Sequence, residues 1–384
     1  MKKKSTKSIL FLINVDWFFL SHRLPIALEA VQNGAEVWVI AANTGHKKEI
    51  ESYGFKFVDF PFTRRGTNFI SEVWNLPRLY KLYRNIKPDL VHHVTIKPVI
   101  YGSLVTRLMK DIKVVNAVTG MGFAFSKDEK ASKIKSLVNK AYQIALNNKN
   151  VRVIFQNEYD LKIFLDQGLV EKEQTTLIRG SGVDCDKFRP SAKESNEKMI
   201  LLASRMIWDK GVQEFVEAAK IVKEQKPEVR FILAGKADKG NPNVVPVETL
   251  RSWTEKGYVE WLGYVNNMIE LIQRSTIVAL PTFYPEGVPK ILIESASTGK
   301  PIVTTNRPGC NDIVKGGKNG ILIPEKDSQA LANAILTLLN DPEKMKKYGK
   351  RGRELVLEEF SEDIVVAKTM KLYDELLGEE WRQN

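Results

Sequence analysis

The sequence predicts two α/β domains, each built on a parallel, doubly wound sheet. Its 384 residues exceed the usual size of a single hydrophobic core, so two domains are expected. Short apolar runs rich in β-branched residues alternate with longer segments of helical period along the chain, which is typical of βαβ units. We expect the two domains to face each other across a cleft, with ligands at the carboxyl ends of the strands.

The first domain is predicted to span residues 1–186. Its expected strands are apolar runs at residues 9–14, 36–41, 55–60, 90–93, 114–117 and 151–155. Helical periodicity is found between them, at residues 25–32, 73–86, 100–109 and 133–146. Pro77 must lie near the start of the second of these helices, or it would kink the helix.

The second domain, residues 187–360, repeats the pattern after a polar linker at residues 185–198. Strands are expected at residues 199–203, 230–234, 259–262, 276–280, 301–304 and 320–323. Helices are expected at residues 212–223, 268–274, 290–298 and 328–339. A last helix at residues 361–377, with Ser361 as its N-cap, is expected to cross back to the first domain within the segment 361–384.

Composition excludes several classes of protein. The two cysteines, Cys185 and Cys310, are far apart and lack a CxxC spacing, which argues against a disulfide framework and a thiolate zinc site. The apolar stretch at residues 9–20 contains Asn14 and Asp16 and is too short to cross a bilayer. The basic start at residues 1–4 is not followed by a signal-peptide cleavage site. We expect a soluble or peripherally bound protein in a reducing compartment.

The positive charge is confined to the first half. Residues 1–190 carry 30 Lys and Arg against 18 Asp and Glu, whereas residues 191–384 carry 28 of each. Together with Arg64, Arg65 and the basic helical segments 73–84 and 133–141, this asymmetry predicts docking on an anionic membrane surface. Taken singly, those segments are also compatible with core helices that have a solvated basic face.

The most informative segment is residues 280–294, where an apolar strand leads into a loop rich in proline and aromatic residues. A helix is expected to begin near Val288 or Pro289, and its exposed backbone N–H groups could bind phosphate or sugar oxygens. Glu286 could accept hydrogen bonds from sugar hydroxyls, and Glu294 from a ribose diol. Alternatively, Glu286 merely faces the positive end of the helix dipole and Glu294 is a surface residue.

Residues 204–211 follow another predicted strand, again at its carboxyl end. Arg205 offers a planar fork of donors and Lys210 a point charge, five residues further on. Such a pair suits a diphosphate leaving group, because negative charge grows on it as the glycosidic bond breaks. Lys210 is also expected at a helix start, where a cation is unfavourable unless an anion is bound.

The motifs of the second half resemble the family 4 glycosyltransferases, which have the two-Rossmann-domain GT-B fold. They are Ser204-Arg205 with Lys210-Gly211, Leu262-Gly263-Tyr264, Leu280-Pro281 with Glu286-Gly287-Val288-Pro289 and Glu294, Gly299-Lys300-Pro301-Ile302-Val303, and residues 320–324. In the first half, residues 21–25 and Thr95-Ile96-Lys97-Pro98 with Tyr101-Gly102 resemble a subgroup that builds bacterial glycans on a lipid carrier. This subgroup includes N-acetylgalactosaminyltransferases.

The resemblance implies a role for each matching residue. Arg205 and Lys210 correspond to the pair that neutralises the donor diphosphate, and with Glu286 they form the expected catalytic set. Glu286 corresponds to the first Glu of the E-x7-E motif, near the donor sugar, and Glu294 to the second, on the ribose. The other donor-binding positions are Gly263 and Tyr264, beside the base, and Gly287, Val288, Pro289 and Lys290.

The first half departs from the family in two places. Asn14 and Asp16 lie in the first strand-to-helix loop, where many relatives carry a Gly-Gly pair. Thr119 stands near the position of a histidine that contacts the donor sugar in many members. We predict Asn14, Asp16, His22 and Thr119 as the acceptor-side residues. His92 and His93 lie in an apolar strand and are interpreted as structural.

No metal site or cofactor is predicted. Asp184-Cys185-Asp186 spells the D-x-D signature of a different glycosyltransferase architecture, but it lies beside the linker in a context common among GT-B relatives. We find no other carboxylate cluster suited to magnesium.

The expected function is retaining, metal-independent transfer of an N-acetylhexosamine or hexose from a UDP-sugar to a lipid-diphosphate-linked saccharide. The resemblance places this activity in bacterial glycan assembly, on the cytoplasmic face of the inner membrane. One alternative is a GT-B sugar-nucleotide epimerase. The other is a basic nucleic-acid-binding protein, which the neutral second half and the lack of a recognised nucleic-acid motif disfavour.

Overall fold

The computed structural model describes residues 6–62, 75–120, 132–192, 197–238 and 240–382, without the side chains of residues 132–137. Arg64, Arg65 and parts of the basic segments 73–84 and 133–141 lie outside this description. The chain divides into two compact units, one containing Met1–Ser181 and Asp363–Asn384 and the other Gly182–Glu362. Within the described ranges, no helix is both long enough and apolar enough to span a bilayer.

The first unit contains a sheet of seven parallel strands in the order β3-β2-β1-β4-β5-β6-β7. The strands are β1 (Ser8–Val15), β2 (Glu36–Ala42), β3 (Lys56–Asp59), β4 (Leu90–Val94), β5 (Lys113–Val118), β6 (Val151–Phe155) and β7 (Thr175–Leu177). The order reverses between β1 and β4, where Ile13 pairs with Val94. The carboxyl ends of these two strands therefore border the crevice in which doubly wound sheets bind ligands.

Helices cover both faces of this sheet, because its central strands are apolar on both sides. They are α1 (Asp16–His22), α2 (Leu24–Gln32), α3 (Lys47–Ser52), α4 (Leu76–Ile86), α5 (Ile96–Thr106), α6 (Ser132–Leu146) and α7 (Glu158–Asp166). Pro77 lies in the first turn of α4, where the missing N–H does not interrupt the helix.

The second unit contains a sheet of six parallel strands in the order β10-β9-β8-β11-β12-β13. They are β8 (Met199–Ala203), β9 (Arg230–Ala234), β10 (Glu260–Gly263), β11 (Ile277–Leu280), β12 (Ile302–Thr305) and β13 (Gly320–Ile323). Around it lie α8 (Val212–Gln225), α9 (Val247–Glu255), α10 (Met268–Arg274), α11 (Lys290–Ser297), α12 (Cys310–Ile313), α13 (Ser328–Leu339) and α14 (Pro342–Leu355). Here the strand order reverses between β8 and β11.

The last helix, α15 (Glu362–Leu377), belongs to the first unit from Asp363 onwards. Val365 and Leu372 are buried in the hydrophobic core of that unit. The Tyr373 hydroxyl is joined to His92 Nδ1 on β4 by a 2.7 Å hydrogen bond. The amphipathic pattern at residues 361–377 therefore covers one face of the first sheet.

The division between the units lies five residues before the predicted end of the first domain at residue 186. Val183 explains the difference, because its backbone is paired within the second unit. Its N–H donates to the Phe360 carbonyl at 3.1 Å, and its own carbonyl accepts from Glu362 N–H at 2.9 Å. Residues 193–196 of the predicted linker lie outside the described residues.

The predicted strands and helices are all present, with ends that differ by a few residues. The largest shift concerns α5, which begins four residues before its predicted start and ends at Thr106 rather than Met109. Pro98 lies in its first turn, where proline is tolerated. The sequence did not predict β7, whose residues are only half-buried, or α14, in which charged residues outnumber apolar ones. It also did not predict the shorter helices α1, α3, α7, α9 and α12.

Candidate functional site

Two loops meet at the switch point of the second sheet. Strands β8 and β11 are hydrogen-bonded neighbours, with Ile277 opposite Ile200 and Val278 opposite Leu201. The loop at residues 204–211 follows β8, and the loop at residues 281–289 follows β11. Since both strands run in the same direction, both loops leave the carboxyl edge of the sheet side by side.

A buried ion pair joins these loops. Lys210 Nζ lies 2.5 Å from Glu286 Oε1, and the Lys210 side chain is only 9% exposed. Thr282 Oγ1 lies 3.5 Å from the same carboxylate oxygen. An ammonium group this far from solvent requires an anionic partner, and Glu286 supplies it. Lys210, a cation that the sequence places unfavourably at a helix start, is thus neutralised by a carboxylate of the protein itself.

Backbone contacts hold the two loops in register. Phe283 N–H donates to the Asp209 carbonyl at 2.8 Å, and the Thr282 hydroxyl donates to the same carbonyl at 3.1 Å. Gly211 has a φ of +74°, and a Cβ there would lie 2.2 Å from the Pro281 carbonyl oxygen. Only glycine allows this approach, so the Lys210-Gly211 pair of the sequence motif has a steric basis.

Arg205 brings a second cation to the same place. Its Nη1 lies 3.0 Å from Asp238 Oδ2. Both cations approach the Tyr284 ring, with Arg205 Cζ 5.7 Å and Lys210 Nζ 5.2 Å from its centroid. The predicted role of Arg205 and Lys210 as a pair that binds a diphosphate stays a prediction.

The loop after β9 supports the loop at residues 204–211, which carries Arg205 and Lys210. The sequence did not predict this support. Met206 N–H donates to the Lys236 carbonyl at 3.0 Å, and Trp208 N–H donates to the Asn243 carbonyl at 2.8 Å. The Asn243 amide donates to Asp209 Oδ2 at 2.8 Å. Residues 240–243, Gly-Asn-Pro-Asn, signal a turn, but a turn signal does not indicate what the turn contacts.

Glu294 lies one turn into α11 and is not a surface residue. Its side chain is 14% exposed, and Oε1 lies 3.9 Å from Lys290 Nζ. Burial raises the pKa of Glu294 to about 7, while the positive charge of Lys290 acts in the opposite direction. The alternative interpretation of Glu294 as a solvated helix residue is therefore wrong. The carboxyl group can change its charge near neutral pH.

The peptide after Glu286 rests on the loop that follows β12. Gly309 has a φ of +84°, and a Cβ there would lie 1.6 Å from the Gly287 carbonyl oxygen. The next residue, Cys310, is buried. Its thiol has a pKa raised to about 12 by burial, with a smaller effect from the negative charge of Glu286. Cys310 is consequently a neutral, close-packed support and not a nucleophile.

Gly263 and Tyr264 lie at the carboxyl end of β10. Gly263 has a φ of +66°, and its carbonyl accepts a 2.6 Å hydrogen bond from Gly235 N–H. Tyr264 is 64% exposed, and Lys236 Nζ lies 4.5 Å from the centroid of its ring. An exposed aromatic ring at this edge offers a surface for stacking. Val288 and Pro289 instead lead into α11, and Val288 is buried in the core.

In the first unit, the Asp16 carboxylate is fully buried, and nearby backbone and side-chain groups donate hydrogen bonds to both of its oxygens. It accepts hydrogen bonds from Trp17 N–H at 2.7 Å, from Thr44 N–H at 2.6 Å, from His46 N–H at 3.0 Å and from the Thr44 hydroxyl. Burial alone would raise the pKa of Asp16, but these hydrogen bonds together lower it. The carboxylate fastens the loop after β2 to the start of α1.

Asn14 and Thr119 lie at the carboxyl edge of the first sheet, near its switch point. Asn14 Oδ1 is buried and has no hydrogen-bond partner among the described residues. Thr95, the first residue after the neighbouring β4, has a φ of +76° and a buried Oγ1 that likewise lacks a partner in that part of the chain. Thr119 follows β5 and is partly exposed. The predicted acceptor-side role of Asn14, Asp16, His22 and Thr119 stays a prediction.

The histidines differ in their surroundings. His22 Nδ1 is joined to Ser21 Oγ at 2.6 Å, and its ring stacks on Phe18 with centroids 3.9 Å apart. His92 and His93 are completely buried. His93 bonds to Asn116 Oδ1 at 2.8 Å and lies directly under Gly102, where a Cβ would come within 2.4 Å of its ring. The interpretation of His92 and His93 as structural is confirmed.

The D-x-D sequence forms a turn. Asp184 Oδ1 accepts hydrogen bonds from Asp186 N–H at 3.1 Å and from Lys187 N–H at 2.9 Å, and Oδ2 pairs with Lys187 Nζ at 2.9 Å. Among the described residues, no group of three or more His, Cys, Asp or Glu could hold a metal ion.

Comparison with known families agrees with this geometry. Residues 184–355 match the family model of "Glycosyl transferases group 1", which includes both loops of the second switch point. Residues 8–157 match that of "Glycosyl transferase 4-like". The chain is thus a glycosyltransferase, with its second half similar to group 1 and its first half to the 4-like family. Arg205, Lys210, Glu286 and Glu294 all lie within the residues matched by the first of these models.

Two characterised relatives of this glycosyltransferase act on lipid-linked sugars. One is the N,N'-diacetylbacillosaminyl-diphospho-undecaprenol alpha-1,3-N-acetylgalactosaminyltransferase of Campylobacter jejuni, 27% identical over 94% of this chain and 98% of the relative. The other is the UDP-Gal:alpha-D-GlcNAc-diphosphoundecaprenol alpha-1,3-galactosyltransferase of Escherichia coli, 28% identical over 73% and 74% of the two chains.

Solved structures confirm the predicted GT-B fold. A glycosyltransferase from Rickettsia africae superimposes with a TM-score of 0.78 and 19% identity, over 98% of this chain and all of the other. Anabaena Alr3699/HepE, solved with UDP, gives a TM-score of 0.77 and 19% identity over 96% of this chain and all of the other. At such identities the likeness establishes the fold alone.

Gly309 provides a test of how tightly the Glu286 loop is supported. We expect Gly309→Ala to reduce donor turnover by the glycosyltransferase strongly, because the added Cβ would displace the peptide that carries Glu286. Gly317→Ala is the matched control, since Gly317 has a φ of +75° with nothing within 4 Å of an added Cβ. It should cost about 1 kcal/mol of stability and leave turnover intact. Thermal unfolding and nucleotide release measure both effects, and equal turnover in the two variants would contradict the packing argument.

Proposed function

We propose that the protein is a retaining, metal-independent glycosyltransferase that transfers a hexose or N-acetylhexosamine from a UDP-sugar to a hydroxyl of a lipid-diphosphate-linked saccharide in bacterial glycan assembly. The observation that carries the proposal is the cluster at the switch point of the second sheet. There, Arg205 and Lys210 approach one tyrosine ring, and Lys210 is paired with Glu286.

The two cations suit a diphosphate leaving group. Positive groups held in place before the reaction stabilise charge that develops in the transition state without a cost of reorganisation. Lys210 is buried and fixed by the Gly211 turn, and Arg205 is fixed by the loop after β9. Arg205 and Lys210 together would supply the charge that a divalent metal supplies in other transferases, which supports metal independence.

The two glutamates suit the rest of the donor. Glu286 is on the loop beside Lys210, where it can accept hydrogen bonds from hydroxyls of the transferred sugar while its partner binds phosphate. Glu294 lies one turn into α11 and would accept hydrogen bonds from the ribose diol. Tyr264 and the Gly263 carbonyl, at the end of β10, would border the uracil.

Retention of the anomeric configuration is part of the proposal, and its steps are the following. The bond between the sugar C1 and the β-phosphate oxygen breaks, and its electron pair leaves with UDP, stabilised by Arg205 and Lys210. The acceptor hydroxyl oxygen bonds to C1 on the same face, and its proton passes to the departing phosphate oxygen. In this proposal the departing phosphate oxygen, and not a side chain of the protein, acts as the general base.

The comparisons support the choice of donor and acceptor. Anabaena Alr3699/HepE has been solved with UDP and with UDP-glucose, and the Escherichia coli relative is named for transfer from UDP-Gal. Both characterised relatives are named for diphospho-undecaprenol-linked acceptors. The unpartnered Asn14 Oδ1 and Thr95 Oγ1, at the switch point of the first sheet, offer polar groups for such an acceptor.

A lipid-linked acceptor requires access to a membrane, on the cytoplasmic face where UDP-sugars are made. The ends of α5 and α6 suit such a surface. Leu108 is 74% exposed, and Ile144 is also exposed. Around them lie the exposed basic side chains of Arg107, Lys110, Lys140 and Lys149. Apolar side chains surrounded by cations favour a bilayer with anionic head groups.

A panel of UDP- and GDP-sugars, scored by nucleotide release, tests the proposed function. We expect release from a UDP-sugar, stimulated by a diphospho-undecaprenol-linked saccharide and unaffected by excess EDTA. The new linkage should have the anomeric configuration of the donor when examined by NMR. A strict requirement for a divalent metal, or an inverted linkage, would contradict the mechanism. Conversion of one UDP-sugar into another without acceptor would indicate an epimerase instead.

Removal of either cation should weaken binding of UDP. We expect Lys210→Ala and Arg205→Ala each to raise the Kd for UDP by about tenfold or more, because a charge-assisted contact to phosphate contributes roughly 1.5–3 kcal/mol. Lys318→Ala, which removes an exposed lysine of the same unit, is the control and should not change the Kd. Calorimetry with UDP measures all three, and unchanged affinity in both site variants would refute the diphosphate clamp.

The raised pKa of Glu294 predicts a pH-dependent affinity. Only the ionised carboxylate accepts hydrogen bonds with full strength from both ribose hydroxyls, and the pKa is about 7. The Kd for a UDP-sugar should therefore fall as the pH rises from 6 to 8. A UDP-sugar is the suitable probe because it lacks the phosphate monoester that titrates near pH 6. Glu294→Gln should bind with little pH dependence, and a variant as pH-dependent as the wild type would exclude Glu294 as the cause.

A further inference from the structure

Both cations of the proposed clamp are already paired with carboxylates of the protein. Lys210 is paired with Glu286, and Arg205 with Asp238. The four side chains therefore carry no net formal charge. A diphosphate that enters must compete with two carboxylates for the same donors.

Asp238 differs from Glu286 in its position. It lies on the loop that follows β9, and β9 is the neighbour of β8 in the sheet. It is not part of the E-x7-E motif. Its side chain is 10% exposed, whereas that of Arg205 is 37% exposed. The carboxylate is thus more buried than the guanidinium, and part of Arg205 remains open to solvent.

The loop that carries Asp238 is held against the Arg205 loop and cannot easily withdraw. Ser204 N–H donates to the Ala234 carbonyl at 3.0 Å, and Met206 N–H donates to the Lys236 carbonyl at 3.0 Å. Val245 N–H donates to the Met206 carbonyl at 3.0 Å. A Cβ on Gly235 would lie 1.7 Å from the Ser204 carbonyl oxygen, so the two backbones are in direct contact.

Only one nitrogen of Arg205 is used by this pair, Nη1, at 3.0 Å from Asp238 Oδ2. A phosphate could bind the other nitrogens while Asp238 stays in place. The phosphate would then lie beside the fixed negative charge of Asp238. Partial exposure to solvent weakens the Coulomb repulsion between the two groups but does not abolish it. UDP, with a terminal phosphate monoester, carries more negative charge than a UDP-sugar and is repelled more.

We propose that Asp238 is an affinity-limiting counter-charge, which neutralises Arg205 and competes with the diphosphate so that UDP is released after transfer. The proposal rests on the diphosphate clamp proposed above. It assigns Asp238 an effect opposite to that of a residue needed only to position Arg205. Without a positioning partner UDP would bind more weakly, whereas without the counter-charge it binds more tightly.

Calorimetry of Asp238→Asn tests this assignment with two ligands. Asparagine keeps an oxygen that can accept the hydrogen bond from Arg205 but removes the negative charge. We expect the Kd for UDP to fall by about fivefold, the upper range for a partly exposed ion pair. The Kd for uridine, which has no phosphate, should not change. Glu224→Gln removes an exposed charge from α8 of the same unit and should leave both values unchanged.

Asp238→Ala provides a second variant in case asparagine disturbs the loop, and it should also tighten UDP binding. Weaker or unchanged UDP binding in both variants would overturn the proposal, as would an equal change for uridine. If the wild-type protein binds UDP no better than uridine, the diphosphate clamp itself fails, and the role of Asp238 fails with it. The comparison of UDP with uridine in the wild-type protein thus separates failure of the diphosphate clamp from failure of the Asp238 proposal.

Discussion

The ion pair between Lys210 and Glu286 is the contact on which the second unit depends for its proposed function. A lysine with a side chain only 9% exposed needs an anion within hydrogen-bond distance. Glu286 can supply it only if the loops after β8 and β11 lie side by side, as the parallel neighbouring strands require. The glycine turn at Gly211 and the contacts of Thr282 hold that arrangement, so the position of one charge fixes two loops.

The surrounding residues give the site its chemical character. Every cation of the cluster faces a carboxylate, which makes the site neutral and lets charged groups remain close together in a partly buried place. The support beneath is close-packed, with the backbone of Gly309 against that of Gly287. A preorganised, neutral site of this kind can stabilise charge as it develops in a transition state and release an anionic product afterwards.

The sequence predicted the fold well because alternating apolar runs and helical periods are local patterns, and parallel β/α order follows from them. It also placed Arg205, Lys210 and Glu286 at strand ends, where a parallel sheet brings them together. It could not predict the contacts of Asp238 and Asn243, since these depend on how the loop after β9 packs against the loop after β8. Nor could it predict the burial of Asp16, whose partners Thr44 and His46 are about thirty residues away. Edge strand β7 and the charged helix α14 were missed because each contains few apolar residues.

A crystal structure of the protein with UDP would show directly whether the loops after β8 and β11 of the second unit bind the donor diphosphate. We expect phosphate oxygens within hydrogen-bond distance of Arg205 and Lys210, with the ribose hydroxyls on Glu294 and the uracil at the end of β10. A bound UDP whose phosphates contact neither cation would refute the diphosphate clamp.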